Sequence, residues 1–144
     1  MAISCSQLQS AVVTQIETLS GFREVRMLPS YFGRSQNTIA HLGFSVEVTT
    51  SNAIAERQRR SVGVVLSSLV RVIFAFRLRP TDVITDYKLA LDKEQDVIGS
   101  VLLSYNAIRP GVEIRFSRAS RRAPESQEYL ISEIEFEAIH TISF

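Results

Sequence analysis

The sequence predicts an α+β fold: a single two-layer domain with a largely antiparallel or mixed sheet and two helices packed on one face. Apolar residues recur with a helical period in two segments and with a period of two in most of the rest. The segments follow the order helix, strand, strand, strand, helix, strand, strand. Most links between adjacent strands are too short for crossovers, which favours antiparallel neighbours.

The first helix begins after Ser4 or Ser6, either of which can cap it, and carries Leu8, Val12, Ile16 and Leu19 on one face. Gly21 stands where a helix-terminating glycine belongs. Residues 22–28 read as a short strand, and residues 29–37, with Pro29, Gly33 and Asn37, as a loop. Residues 40–50 alternate cleanly, with Leu42, Phe44, Val46 and Val48 on the inward side. Residues 51–60 are polar and charged and read as an extended loop. Residues 61–78 are the most β-prone stretch, and their second half reads as a central strand buried on much of both faces.

Residues 85–106 predict the second helix, with Thr81 or Thr85 as its cap. Tyr87, Leu91, Ile98, Val101, Leu102 and Tyr105 form its apolar stripe, while Asp86, Lys88, Asp92, Lys93, Gln95 and Asp96 form its wet side. Pro110 and Gly111 then turn the chain into a strand over 112–117. A polar loop is expected over 118–128, and a long final strand over 129–144. On that strand Ile134, Phe136, Ala138 and His140 face one way, and Glu133, Glu135 and Glu137 the other.

Length and composition restrict the function. The chain has 144 residues and is 45% hydrophobic and 22% charged, the profile of one ordinary globular domain. Sixteen basic residues against fifteen acidic ones leave a net charge of +1, which gives no overall bias toward nucleic acid or a membrane surface. A lone cysteine, Cys5, excludes an internal disulfide framework and a thiolate zinc cluster. No apolar stretch reaches the roughly 20 residues of a membrane span, and the amino-terminal residues lack the pattern of a signal peptide.

No nucleophile elbow, P-loop or dinucleotide-binding turn is present. His41 and His140, the only histidines, fall on strands without an acid-nucleophile pattern nearby, so satisfied strand histidines are expected rather than catalytic bases. An enzyme built on Glu113, Glu133 or His140 is the least favoured reading. No cofactor or metal is expected.

The charged residues offer more. Fourteen of the sixteen cations are arginine, whose planar fork suits bidentate contacts and interfaces. Arg57, Arg59 and Arg60 form one group, and Arg118, Arg121 and Arg122 another, both in expected loops. They suit a solvated run, phosphate contacts, or the acidic surface of a neighbouring subunit. Glu133, Glu135 and Glu137 form a ladder on one strand face, either solvated or offset by something basic, since like charges in a row repel. Unlike patches on different surfaces suit a head-to-tail ring.

The run Phe44-Ser45-Val46-Glu47-Val48, an arginine-containing loop, Leu69-Val70-Arg71-Val72 and then Phe76-Arg77-Leu78-Arg79-Pro80-Thr81-Asp82 resembles tail terminator proteins of long-tailed bacteriophages. The helix that follows, with Asp86-Tyr87-Lys88-Leu89, and the late Glu128-Tyr129-Leu130 entering a final strand resemble the same family. The resemblance implies one tail-terminator-like domain over residues 1–144, assembling into a homo-hexameric ring that caps the tail tube and ends its elongation. It implies tail tube protein and a head-tail connector or stopper protein as partners, with non-specific contact to DNA passing through the lumen. It implies a place in the tail or neck of the virion, assembly in the host cytoplasm, no membrane partner, no cofactor and no enzymatic step. Another head-tail joining protein, or a nucleic-acid-binding module using the arginine loops, are the alternatives.

Overall fold

The computed structural model describes residues 2–25, 40–54, 63–103, 112–123 and 128–143. Among them run α1 (Cys5–Glu17), β1 (Arg23–Glu24), β2 (Gly43–Ala53), β3 (Val64–Arg77), α2 (Val83–Leu102), β4 (Glu113–Arg122) and β5 (Tyr129–Ile142), in the order expected. The strands form one sheet in the order β1-β2-β3-β5-β4. β1 runs parallel to β2, and all other neighbours are antiparallel. Both helices bury their apolar residues with one face of this mixed sheet, so the α+β fold class stands as predicted.

α1 starts where the sequence placed it. The Gln7 N–H donates to the Ser4 hydroxyl at 3.1 Å and the Ser4 N–H donates to Gln7 Oε1 at 3.0 Å, a reciprocal capping box. Leu8, Val12 and Ile16 are fully buried, and the chain leaves the helix before Leu19. β3 is the central strand. Val70, Val72, Phe74 and Phe76 join the helix-side core, while Ile73 and Ala75 form a smaller cluster with Ile131 on the other face. That two-sided burial is why the strand reads as an unbroken apolar run. Gly63 precedes it at φ +152°, and a Cβ there would stand 2.0 Å from the Ile142 carbonyl oxygen.

Several boundaries differ from expectation. β2 continues through Thr50, Ser51, Asn52 and Ala53, which pair with β3 after an irregularity between Val48 and Thr50. β3 supplies the partner that polar residues alone did not announce. β1 is only Arg23–Glu24, with Phe22 turned into the core. α2 ends at Leu102 with Leu103 as its C-cap, short of the expected residue 106. The loop expected over 29–37 and the Pro110-Gly111 turn lie outside the described residues.

The face of α2 is also rotated from its predicted setting. The helix starts at Val83, with Asp82 as N-cap and no side-chain capping bond from Thr81 or Thr85. Its buried residues are Asp86, Ala90, Glu94, Val97 and Val101. Asp86, assigned to the wet side, is buried. Tyr87 and Leu102, assigned to the core stripe, are exposed. The cause is electrostatic, because both buried carboxylates have arginine partners.

A candidate assembly surface

The sheet face away from the helices carries a row of alternating charge. Register places Glu47 of β2 opposite Arg71 of β3, Arg71 opposite Glu135 of β5, and Glu135 opposite Arg118 of β4. Arg118 Nε donates to Glu135 Oε2 at 2.8 Å and its Nη2 to Oε1 at 3.3 Å, a two-pronged contact. That bond holds the Arg118 guanidinium above its ordinary pKa. Arg71 reaches Glu133 at 2.9 Å and Glu135 at 3.5 Å. The glutamate ladder is therefore offset within its own chain at Glu133 and Glu135. Glu137 stands opposite Leu69 and Arg115, and Arg115 in turn bridges Glu113 at 2.9 Å. Arg71 was not singled out from the sequence. Its signal was one cation inside an otherwise apolar strand.

The second arginine group lies on a strand, not in a loop. β4 extends to Arg122, so Arg118, Arg121 and Arg122 are all ladder residues. A register shift between Phe116 and Arg118 sets the side on which each arginine falls. Arg118 faces the charge row. Arg121 pairs with Ser132 in register and turns to the helix side, where its Nε donates to Glu94 Oε2 at 2.8 Å and its Nη2 to Glu94 Oε1. Arg122 pairs with Ile131 and is exposed. Arg57, Arg59 and Arg60 lie outside the described residues.

At the start of α2, Asp86 is held the same way. It accepts from the Arg79 backbone N–H at 2.8 Å and from the Arg79 guanidinium at 3.1 and 3.0 Å, which keeps its carboxyl below the ordinary aspartate pKa. Nearby, His41 Nδ1 accepts the Arg77 N–H at 3.1 Å, and burial lowers the pKa of its ring.

His140 is a satisfied core histidine. Its Nδ1–H donates to the Ile3 carbonyl at 2.8 Å, which leaves Nε2 to accept the Ser68 hydroxyl at 2.7 Å. Ser51 lies 2.7 Å from Ser68, and Cys5 Sγ 3.6 Å from Ser51. His140 is 1% exposed and Ser68 0%, and this line of polar groups ties α1 to β2, β3 and β5. No cluster of three or more histidine, cysteine or acidic side chains among the described residues is arranged to hold a metal ion. No helix among them is long and apolar enough to cross a membrane.

The described surface also exposes large apolar side chains: Val83, Ile84, Tyr87, Leu89 and Leu102 on α2, Leu103 at its end and Phe116 on β4, by 37–85%.

No protein-family model and no curated protein matches the chain. Among solved structures it is similar to a chain in the structure titled "Virion of native gene transfer agent (GTA) particle", with a TM-score of 0.50 and 16% identity. The match covers 93% of this chain and 94% of that one. At that identity the likeness is one of fold.

Proposed function

We propose that this chain is a structural subunit of a phage-like virion, and that it works as a tail terminator. Six copies close into a ring on the end of the tail tube, stop further addition of tube protein, and present the surface to which a head connector or stopper protein docks. The observation that carries this reading is the likeness, along nearly the whole of both chains, to a chain of a gene transfer agent virion. The tail-terminator resemblance of the sequence points the same way. The ring, the tube and the connector belong to the proposal.

The arrangement of charge counts against the nucleic-acid alternative. Arg118 and Arg121 already hold Glu135 and Glu94, so two of the arginines suited to phosphate are engaged within the fold. The test is the mass of the purified chain across a dilution series, followed by electron microscopy of tail tubes mixed with it. A species near six times 16.2 kDa and caps on tube ends are expected. Chains that stay monomeric and leave tube ends bare and growing overturn the reading.

A further inference from the structure

Where β2 begins, β3 ends and α2 begins, the fold leaves a cavity of about 390 Å³. Its wall is made by His41, Phe76, Arg77, Arg79, Asp86 and Leu89. That volume lies in the range of ligand sites, about 300–1,000 Å³.

A strained turn holds His41 at this wall. The Gly43 N–H donates to the Ala40 carbonyl at 2.9 Å, closing a turn with His41 and Leu42 at its centre. Leu42 stands at φ +59°, in the left-handed region that leucine rarely adopts. Its N–H donates to the Ala75 carbonyl at 2.7 Å and its side chain is buried, so the surroundings impose the conformation. Strain of this kind clusters at ligand clamps. The His41 ring lies edge-on to Phe76, with centroids 4.6 Å apart. Because Nδ1 accepts the Arg77 N–H, the neutral ring carries its proton on Nε2. That Nε2–H is a donor without a partner among the described residues.

The charges around the cavity favour an anion. Asp86 takes three bonds from Arg79, and Asp82 lies 3.7 Å from the same guanidinium. Both carboxylates are thus offset. Arg77 and Lys93 act on His41 as positive charges, and neither has an ion pair among the described residues. Phe76 and Leu89 add an apolar wall beside these groups. The mouth is wide, with the Arg79 side chain 59% and Leu89 44% exposed. A site for a free small molecule encloses about 70–90% of its ligand. An open mouth suits instead the side chains of another protein reaching in.

We propose that this cavity is a docking socket for an acidic peptide segment of a partner protein. A carboxylate side chain accepts from the His41 Nε2–H beside the positive charge of Arg77, and a neighbouring apolar side chain rests on Phe76 and Leu89. The socket belongs to one chain, so it stands or falls apart from the ring.

The two histidines make the test direct. In the full chain with isotope-labelled histidine, nuclear magnetic resonance reads two imidazole rings of opposite tautomer, His41 protonated on Nε2 and His140 on Nδ1. His140 lies in the core and reports folding. At about pH 7.5, where the lowered pKa of His41 keeps its ring neutral, the probe is the blocked dipeptide acetyl-phenylalanyl-glutamate amide. Its glutamine counterpart and phenyl phosphate are the comparisons.

The His41 signals are expected to shift saturably at roughly millimolar peptide while those of His140 stay in place, with the glutamine peptide about tenfold weaker. Arg77→Gln is expected to weaken binding about fivefold. Leu89→Glu places a carboxylate at the mouth, on an exposed helix position one turn before Lys93, and is expected to abolish the shift with His140 unchanged. No shift at His41, or equal shifts at both rings, overturns the socket. Equal binding of the two peptides overturns the carboxylate, and tighter binding of phenyl phosphate assigns the site to phosphate and overturns the peptide. Folded variants that bind like wild type overturn the placement.

Discussion

Arg121 of β4 grips the carboxylate of Glu94 on α2, with Nε donating at 2.8 Å, and Glu94 is only 3% exposed. This pair fixes which side of α2 faces the sheet. Removing one member of a buried pair leaves an uncompensated charge, whereas replacing both by apolar residues of similar volume is often neutral. Arg121→Ala is expected to cost about 2 kcal/mol, scaled down from a fully buried pair because the arginine is 38% exposed. The double variant Glu94→Leu, Arg121→Met is expected to recover most of it. Urea denaturation of wild type and the two variants checks this, and a double variant no more stable than Arg121→Ala would refute it.

Two buried polar groups should respond in opposite ways to truncation. His140→Ala unpairs the Ile3 carbonyl, leaves the Ser68 hydroxyl with Ser51 alone and opens a cavity, so a loss of about 3 kcal/mol is expected. The Ser132 hydroxyl is buried with no hydrogen-bond partner among the described residues. Ser132→Ala is expected to be neutral or to stabilise by about 0.5 kcal/mol. Thermal melts of both variants decide the point, and a Ser132→Ala loss above 1 kcal/mol would mean a missing partner.

The two glycines on either side of the sheet-helix contrast give a paired prediction. Gly63 sits at φ +152° against the Ile142 carbonyl, so Gly63→Ala forces the β3–β5 ladder apart and is expected to cost about 2 kcal/mol or more. Gly99 is inside α2 with open space where its Cβ would stand, and Gly99→Ala is expected to stabilise by about 1 kcal/mol. Denaturation midpoints that move in the same direction would contradict this.

Acid should weaken the fold in two steps. His41 has a lowered pKa in the folded state, so its contribution is complete above the ordinary histidine value of about 6.5 and fades as pH falls through the folded value. Protonation also removes the lone pair that accepts the Arg77 N–H. Asp86 is lowered as well, so its contribution is present above about pH 4 and is lost as pH falls through its folded value. Stability measured from pH 8 to pH 3 is expected to fall in both windows. His41→Gln should abolish the upper step alone.

The order of all seven elements was legible because most are marked by local signals: the Ser4 cap, the period of Leu8, Val12 and Ile16, the alternation from Leu42 to Val48, and the apolar run of β3. β4 was legible only to Ser117. Beyond it the inward positions hold Ala119 and Arg121 and the outward ones Arg118 and Ser120, so no hydrophobic alternation exists to be seen. The strand is satisfied by charge partners far away in sequence, and a periodicity argument has no access to them. The same blindness displaced the face of α2. Asp86 and Glu94 look wet until Arg79 and Arg121 are placed beside them, and the true apolar flank was then mistaken for the core face.

The contact between Ile3 and β5 has a consequence for the order of events in the cell. The Ile3 N–H donates to the Thr141 carbonyl at 2.8 Å, and the Ile3 carbonyl accepts from His140. β3, too, gains its second neighbour only when β5 arrives. A nascent chain on the ribosome thus lacks the tie at the start of α1, and its central strand stays half paired, until β5 has left the exit tunnel. Completion of the sheet consequently waits on β5, whose pairings with β3 and with Ile3 are distant in sequence.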